Sequence, residues 1–398
     1  MPRSPTPKII AKSTPTKNRT KPPRPRTTKK TSTNKSSLSP SLTWNDEAEI
    51  VGLEFALVPP VNASIYPQYS TGLHAWFLNC VRNADPDLSA YLHDGESEKP
   101  FTISLLDGEI VSSGMNIQLS SDRIYYWCVT GLSQRVTNWL RDWVNNLPSH
   151  LELSHVPLKI ESCRIVHPAT SYDRLLNQEN IGGAVSLEFL SPTSFRRKKH
   201  HFPLPLPFNI FQSYLRRWND FSNLPVDADD FLAWIDEQVI INRHQISSSK
   251  VLAGKKGAVT GFTGAVELGL ARTASQNPDY YRLFYALCNF APYCGTGHKT
   301  TFGLGQTRLG WSSKLVRDVP DVESVLAKRI EDLTEIFMLQ RKRQGGGRAS
   351  EIGVKWATIL ARREMGDSLM QISEDTEIPY ETVKTYVKLA RKALKQED

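Results

Sequence analysis

The stretch from Cys294 to Trp311, CGTGHKTTFGLGQTRLGW, concentrates residue types that can hold a phosphate. Gly295, Gly297, Gly303, Gly305 and Gly310 lie there among the cations Lys299 and Arg308. Glycines at this density let a backbone turn sharply and bring amide donors against an anion. Two nucleotide-binding patterns fail on spacing. The GxxxxGK[ST] loop needs glycine before its lysine, and His298 precedes Lys299. A dinucleotide fingerprint follows a strand and carries a third glycine, whereas Thr300 stands at that place and the preceding segment has helical spacing. A helix-loop-strand order suits RNA backbone binding instead. The amides of Gly297 to Gly305 and the side chains of Lys299 and Arg308 are then expected on phosphates, with His298 touching RNA rather than performing chemistry. The competing reading is a glycine-rich turn needed only for close packing.

A second candidate is the basic run Arg196, Arg197, Lys198, Lys199, His200 and His201, flanked by Phe195 and Phe202. Cations beside aromatic rings suit a nucleic-acid phosphate track; a solvated loop is the alternative. No carboxylate or cysteine stands at ligand spacing from His200 and His201, so no metal is expected there.

The elements that must position these residues follow from periodicity. A β-rich run from Ile50 to Val58 precedes a helix over 71–82, with Leu73, Trp76, Phe77, Cys80 and Val81 on one side, and a second short helix ending at His93. Strands are expected at 101–106 and 124–130, a helix at 134–147, and strands near 151–155 and 160–166. Strand, helix, strand, strand, helix, strand is the order of a ferredoxin-like unit. The order recurs: a strand at 184–190, helices at 208–221 and 230–238, paired strands at 239–245 and 257–271, a helix at 278–290 and a last strand at about 304–309. The fold class expected is α+β, with two tandem ferredoxin-like domains at 46–170 and 171–315 and a small all-α domain at 321–398.

Charge separates these parts. Residues 1–45 carry 11 Lys and Arg and no acid, residues 46–320 carry 24 against 27, and residues 321–398 carry 14 against 14. The first segment, rich in Pro, Ser, Thr and Lys, cannot bury enough apolar surface to order itself and is expected to be a disordered basic arm or an unstructured extension. Nucleic-acid binding by the rest must come from local clusters. No run of about 18 apolar residues and no secretory signal occurs, and five scattered cysteines form no CxxC pair, so a soluble protein in a reducing, cytoplasmic compartment is expected, with no membrane contact.

Four separated motifs together resemble the CRISPR-associated endoribonucleases that process precursor crRNA, members of the repeat-associated (RAMP) superfamily. They are DLSAYLHDG followed by KPFTISLL at 87–106, SLEFLSPTSFR at 186–196, GFTGAVEL at 261–268 and GTGHKTTFGLGQ at 295–306. The resemblance covers about 46–312. It implies tandem ferredoxin-like domains that bind CRISPR repeat RNA, cut it without metal or other cofactor by attack of a ribose 2′-OH, and leave a 2′,3′-cyclic phosphate and a 5′-OH. Retention of the mature crRNA and delivery to a CRISPR effector complex are implied for many members, and a prokaryotic cytoplasm with them.

This reaction needs a base, an acid and positive charge against the phosphorane. Histidine, with an unperturbed pKa of about 6.5, serves either proton transfer. By the resemblance His93 occupies the position of the catalytic histidine and Lys99 that of a lysine that stabilises the transition state. A tyrosine found in some relatives on the preceding helix is replaced by Leu78 here. His74, on the first helix, is the alternative acid or base. The competing functions are an inactive subunit that only caps repeat RNA and an RNA-responsive DNA-binding regulator.

Residues 368–376 and 380–394, joined by Glu377-Ile378-Pro379, read as a helix-turn-helix. The run GDSLMQISEDTEIPYETVKTYVKLARKAL resembles the DNA-binding end of sigma factors. Tyr380, Thr382, Lys384, Thr385 and Lys388 would meet DNA or protein through a module spanning 345–398.

Overall fold

A computed structural model describes residues 42–93, 98–113, 116–153, 155–198, 200–252, 258–312, 322–341 and 347–394. Most of the basic arm, together with Lys199, lies outside the described residues.

Strands β1 (Ile50–Val58) and β2 (Ala63–Ile65) precede helices α1 (Tyr69–Ala84) and α2 (Pro86–His93). Strands β3 (Phe101–Ile103), β4 (Val111–Ser113), β5 (Asn116–Leu119) and β6 (Tyr125–Gly131) lead through α3 (Gln134–Val144) to β7 (His150–Leu153) and β8 (Val156–Thr170). The first sheet runs β3-β6-β1-β8-β7, antiparallel at every pairing. After α4 (Tyr172–Leu176) come β9 (Val185–Thr193), β10 (Phe195–Arg197), β11 (His200–Phe202), α5 (Pro207–Phe221) and α6 (Ala228–Gln238). Strands β12 (Val239–Leu252) and β13 (Ala258–Leu270), helix α7 (Pro278–Cys294) and strand β14 (Thr307–Leu309) complete this half, whose sheet runs β12-β13-β9-β14. In both sheets the first strand of the βαββαβ unit lies between the third and the fourth. That is the ferredoxin-like arrangement, built twice.

The helices start where the chain supplies caps. Ser133, Ser171, Asp227 and Asn277 each accept a bond from an amide three residues on, and Pro207 and Pro278 open helices in which their missing amide costs nothing. Each half then buries an aromatic core. Phe55, Phe77, Phe101 and Trp127 fill the first, and Tyr172, Phe211, Trp218, Phe284 and Phe290 the second. Burial of each such ring contributes roughly 1.5–3 kcal/mol. Leu132, which follows β6, joins the second core, where its carbonyl accepts from the Tyr172 hydroxyl at 2.7 Å.

Three expectations are corrected. The strand at 101–106 ends at Ile103, because Ser104 forms a parallel bridge to Gly303 in the other half. The last strand begins at Thr307 rather than Leu304, since Thr300–Phe302 close a 3-10 turn and the Leu304 amide bonds back to the Lys299 carbonyl. The basic run, open to a loop reading, is the β10-β11 hairpin, with Arg196 opposite His201 and Arg197 opposite His200.

Helices α8 (Val322–Arg341), α9 (Gly347–Glu364), α10 (Leu369–Thr376) and α11 (Tyr380–Leu394) form the last part, with α9 contacting the other three. No described helix is long and apolar enough to cross a membrane.

Candidate active site

The glycine-rich loop is the joint between the halves. Gly297, Gly303 and Gly305 all have positive φ, and a Cβ on Gly305 would stand 1.9 Å from the Thr296 carbonyl oxygen. Only glycine fits such an approach. Four of the amides in this stretch are turned inward. Gly297 donates to Ser213 Oγ, His298 to the Ser194 carbonyl, Gly305 to the Pro192 carbonyl and Gln306 to Ser191 Oγ. An amide cradle for phosphate at these positions, one expectation from the sequence, is therefore already filled by protein. Gly295, Gly303 and Thr300 are likewise buried.

Arg217, on α5, organises this joint, and neither its spacing nor its setting in LRRWND marks it in the sequence. It is 3 % exposed and donates to the Gly297 carbonyl at 2.8 Å and to Thr300 Oγ1 at 3.3 Å. Its Nε meets Glu98 at 3.3 Å, and the Glu98 amide donates to Asp220. The segment that carries Lys99 into β3 is thereby tied to α5 and, through Arg217, to the loop.

His74 reaches the same loop from the other side. Its Nδ1–H donates to the Thr301 carbonyl at 2.8 Å, and its ring stacks 4.3 Å from Phe302 and 5.8 Å from Phe101. A carbonyl partner fixes the proton on Nδ1 and leaves the neutral ring's lone pair on Nε2. Lys99 stands two residues before Phe101, and His93 is the exposed last residue of α2. The segment 94–97 between them lies outside the described residues.

The two basic candidates of the second half converge. His201 of the hairpin stacks on His298 of the loop, with ring centroids 5.3 Å apart and planes 13° from parallel. His298 Nδ1–H donates to the Ser194 carbonyl at 2.7 Å. Burial and the charges of Lys299 and Arg196 hold both imidazoles below their ordinary pKa, and burial with Arg196 lowers that of Lys299. Arg196, His201, His298 and Lys299 thus form one patch in which positive charge is crowded. Arg197 and Lys198 are exposed, and Arg197 lies over the Phe202 ring.

Arg308 has a different partner. It holds the Glu188 carboxylate through Nε and Nη2, both at 2.7 Å, with the Glu188 side chain 3 % exposed and that of Arg308 47 %. Its charge neutralises a buried acid, which weakens its expected role on RNA. Gly310, by contrast, is exposed at the end of β14.

Known proteins agree with this architecture. The family model described as "CRISPR Cas6 N-terminal domain" matches residues 52–162, and "CRISPR-associated endoribonuclease Cas6" matches 187–307. Among solved structures, a Cas6 (TTHB231) product complex is 23% identical with TM-score 0.56, covering 66% of this chain and 100% of that one. A Cas6 (TTHA0078) product complex is 24% identical with TM-score 0.51, covering 66% and 99%. Thermus thermophilus Cas6 (TTHB231) is 22% identical with TM-score 0.50 over the same shares. No curated protein sequence matches the chain. With both ferredoxin-like halves matched by its models, the chain belongs to the CRISPR-associated endoribonuclease family Cas6, whose members process precursor crRNA.

Proposed function

We propose that this endoribonuclease cuts precursor CRISPR RNA within its repeats without a metal, at the junction between α2, β3 and the glycine-rich loop. The observation that carries the reading is the convergence of His74, the Lys99 segment and the loop through the Thr301 and Arg217 contacts. In this reaction a ribose 2′-oxygen attacks the adjacent phosphorus while a base takes its proton. The bond from phosphorus to the 5′-oxygen breaks as an acid protonates the leaving oxygen. A 2′,3′-cyclic phosphate and a 5′-OH result.

His93, exposed at the end of α2, is the proton-transfer residue in this reading, and Lys99 offsets the charge that builds on the phosphorane. His74 is a positioning residue, because its ring is stacked and its Nδ1 proton is engaged. The patch of Arg196, His201, His298 and Lys299, extended by Arg197 and Lys198, takes backbone phosphates on the way to the cut. Retention of the mature guide and its transfer to an effector complex belong to the same proposal.

The test is single-turnover cleavage of a repeat transcript in EDTA. His93→Ala should lower the rate by at least about a hundredfold, the usual worth of one general acid or base, with RNA affinity kept. His74→Ala should lower the rate without changing the shape of its pH profile. Retained cleavage by His93→Ala, with an altered pH profile in His74→Ala, would reverse the two roles. Tight binding with no cut by the parent protein would instead indicate an RNA-capping subunit.

A further inference from the structure

The family models end at residue 307, and helices α8–α11 lie beyond them. These helices form a unit with a built core. Helix α9 presents Ala357, Leu360 and Ala361 to Leu333 and Phe337 of α8, and Ile359 to Ile372 of α10 and Val383 and Val387 of α11. The connection from α10 to α11 is three residues long, with Glu377 in the left-handed conformation at φ 55° and Pro379 immediately before α11.

Helix α11 buries Val383, Val387 and Ala390 and turns the opposite side to solvent. Lys384, Lys388, Arg391 and Lys392 are all exposed there. Lys384, Lys388 and Lys392 recur at steps of four and Arg391 follows Lys388 by three, so they share one side in a stripe about 12 Å long at 1.5 Å per residue. Glu381 is the acid of this helix and pairs with Lys384 at 3.3 Å. Among the described residues, Lys388, Arg391 and Lys392 have no ion-pair partner. Asp367 and Asp375, on the α10 side, are both bound by Arg362. The equal count of acids and bases in residues 321–398 therefore conceals a local excess of cations on α11. Four of the cations, Lys384, Lys388, Arg391 and Lys392, lie on α11, where Glu381 is the single acid.

We propose that the exposed face of α11 binds duplex DNA in the major groove, a contact separate from RNA cleavage. A helix with its side chains is about 10–12 Å across, and the B-form major groove is about 12 Å wide. The deep, narrow major groove of an A-form RNA helix does not admit it. A protein partner is disfavoured by composition, since interface cores are depleted in lysine and this face holds three. Exposed Tyr380 and Thr385, at the start of the helix, stand where base edges would be met.

The experiment uses the full chain, a labelled 20-base-pair mixed-sequence DNA duplex and anisotropy titrations between 50 and 200 mM salt. The parent should bind, and the triple variant Lys388→Ala/Arg391→Ala/Lys392→Ala should bind about tenfold or more weakly. Its salt slope should be shallower by roughly 0.9 for each phosphate that the variant no longer neutralises. The basic N-terminal arm contributes equally to both proteins and drops out of the difference. Replacing Lys388 and Lys392 by arginine should retain binding. Repeat-RNA cleavage, read in the same preparations, should be unchanged in every variant. Equal DNA binding by parent and triple variant would overturn the proposal and direct attention to a protein partner. Equal loss on an RNA duplex, or cleavage falling in step with DNA binding, would overturn it by making the face part of the RNA site. If the parent cuts no RNA yet loses DNA through these substitutions, the cleavage reading fails and this one stands.

Discussion

At the residue scale, Arg308 shows how a cation can be misread from its neighbourhood. In the chain it belongs to a glycine-rich, phosphate-like context; in the fold it closes a fork over the nearly buried Glu188. Removing it leaves that carboxylate with the Ser312 amide at 3.3 Å as a remaining donor. Breaking a fully buried pair costs about 3–5 kcal/mol, and the half-exposed arginine reduces that here to about 1–3 kcal/mol. Arg308→Ala should therefore lower the denaturation midpoint and leave repeat-RNA affinity nearly intact. Unchanged stability with weakened RNA binding would return Arg308 to the phosphate track.

At the scale of elements, the β10-β11 hairpin and the glycine-rich loop act as one unit because His201 and His298 stack. Both imidazoles are held below their usual pKa by burial and by nearby cations, which favours the neutral ring. A bound phosphate supplies the opposite charge and raises both values, so RNA binding takes up protons. Affinity for the repeat should accordingly increase as pH falls from 7.5 toward 6, measured by filter binding with a 2′-deoxy repeat that lacks the attacking hydroxyl. Replacing His201 and His298 by glutamine should flatten that dependence. A parent affinity that does not change with pH would place the phosphates away from this pair.

At the scale of the whole molecule, His167 lies in a small cleft between the halves, lined by the hydroxyls of Thr102, Ser104 and Thr130 and by the apolar Ile103 and Leu304. Its ring sits 5.3 Å from Tyr293, and burial lowers its pKa to about 4. The unfolded chain, with histidine near pH 6.5, binds more protons between those two values. Stability should thus fall as pH drops from about 6.5 to about 4 and lose nothing further from this residue below that. The displacement corresponds to about 3 kcal/mol. Denaturant titrations at pH 7 and pH 4.5 on the parent and on His167→Gln measure it, and an equal acid sensitivity in both would assign the effect to other groups.

What the sequence determined was everything that rests on local periodicity. Alternating and helical spacing placed both βαββαβ orders, and the start of α11 at Tyr380 was legible because Pro379 closes a three-residue turn before it. The ordered motifs were enough to reach the family. Tertiary structure decided the use of each polar group, since its partner lies far along the chain. His74 meets Thr301 across 227 residues, and Arg217 reaches both Glu98 and Gly297. Composition could not reveal that the amides of Gly297, His298 and Gly305 face inward, that Arg308 serves Glu188, or that Lys388, Arg391 and Lys392 are all exposed on α11. A residue type limits what a side chain can donate or accept; which neighbour satisfies it is set by long-range packing that no local spacing encodes.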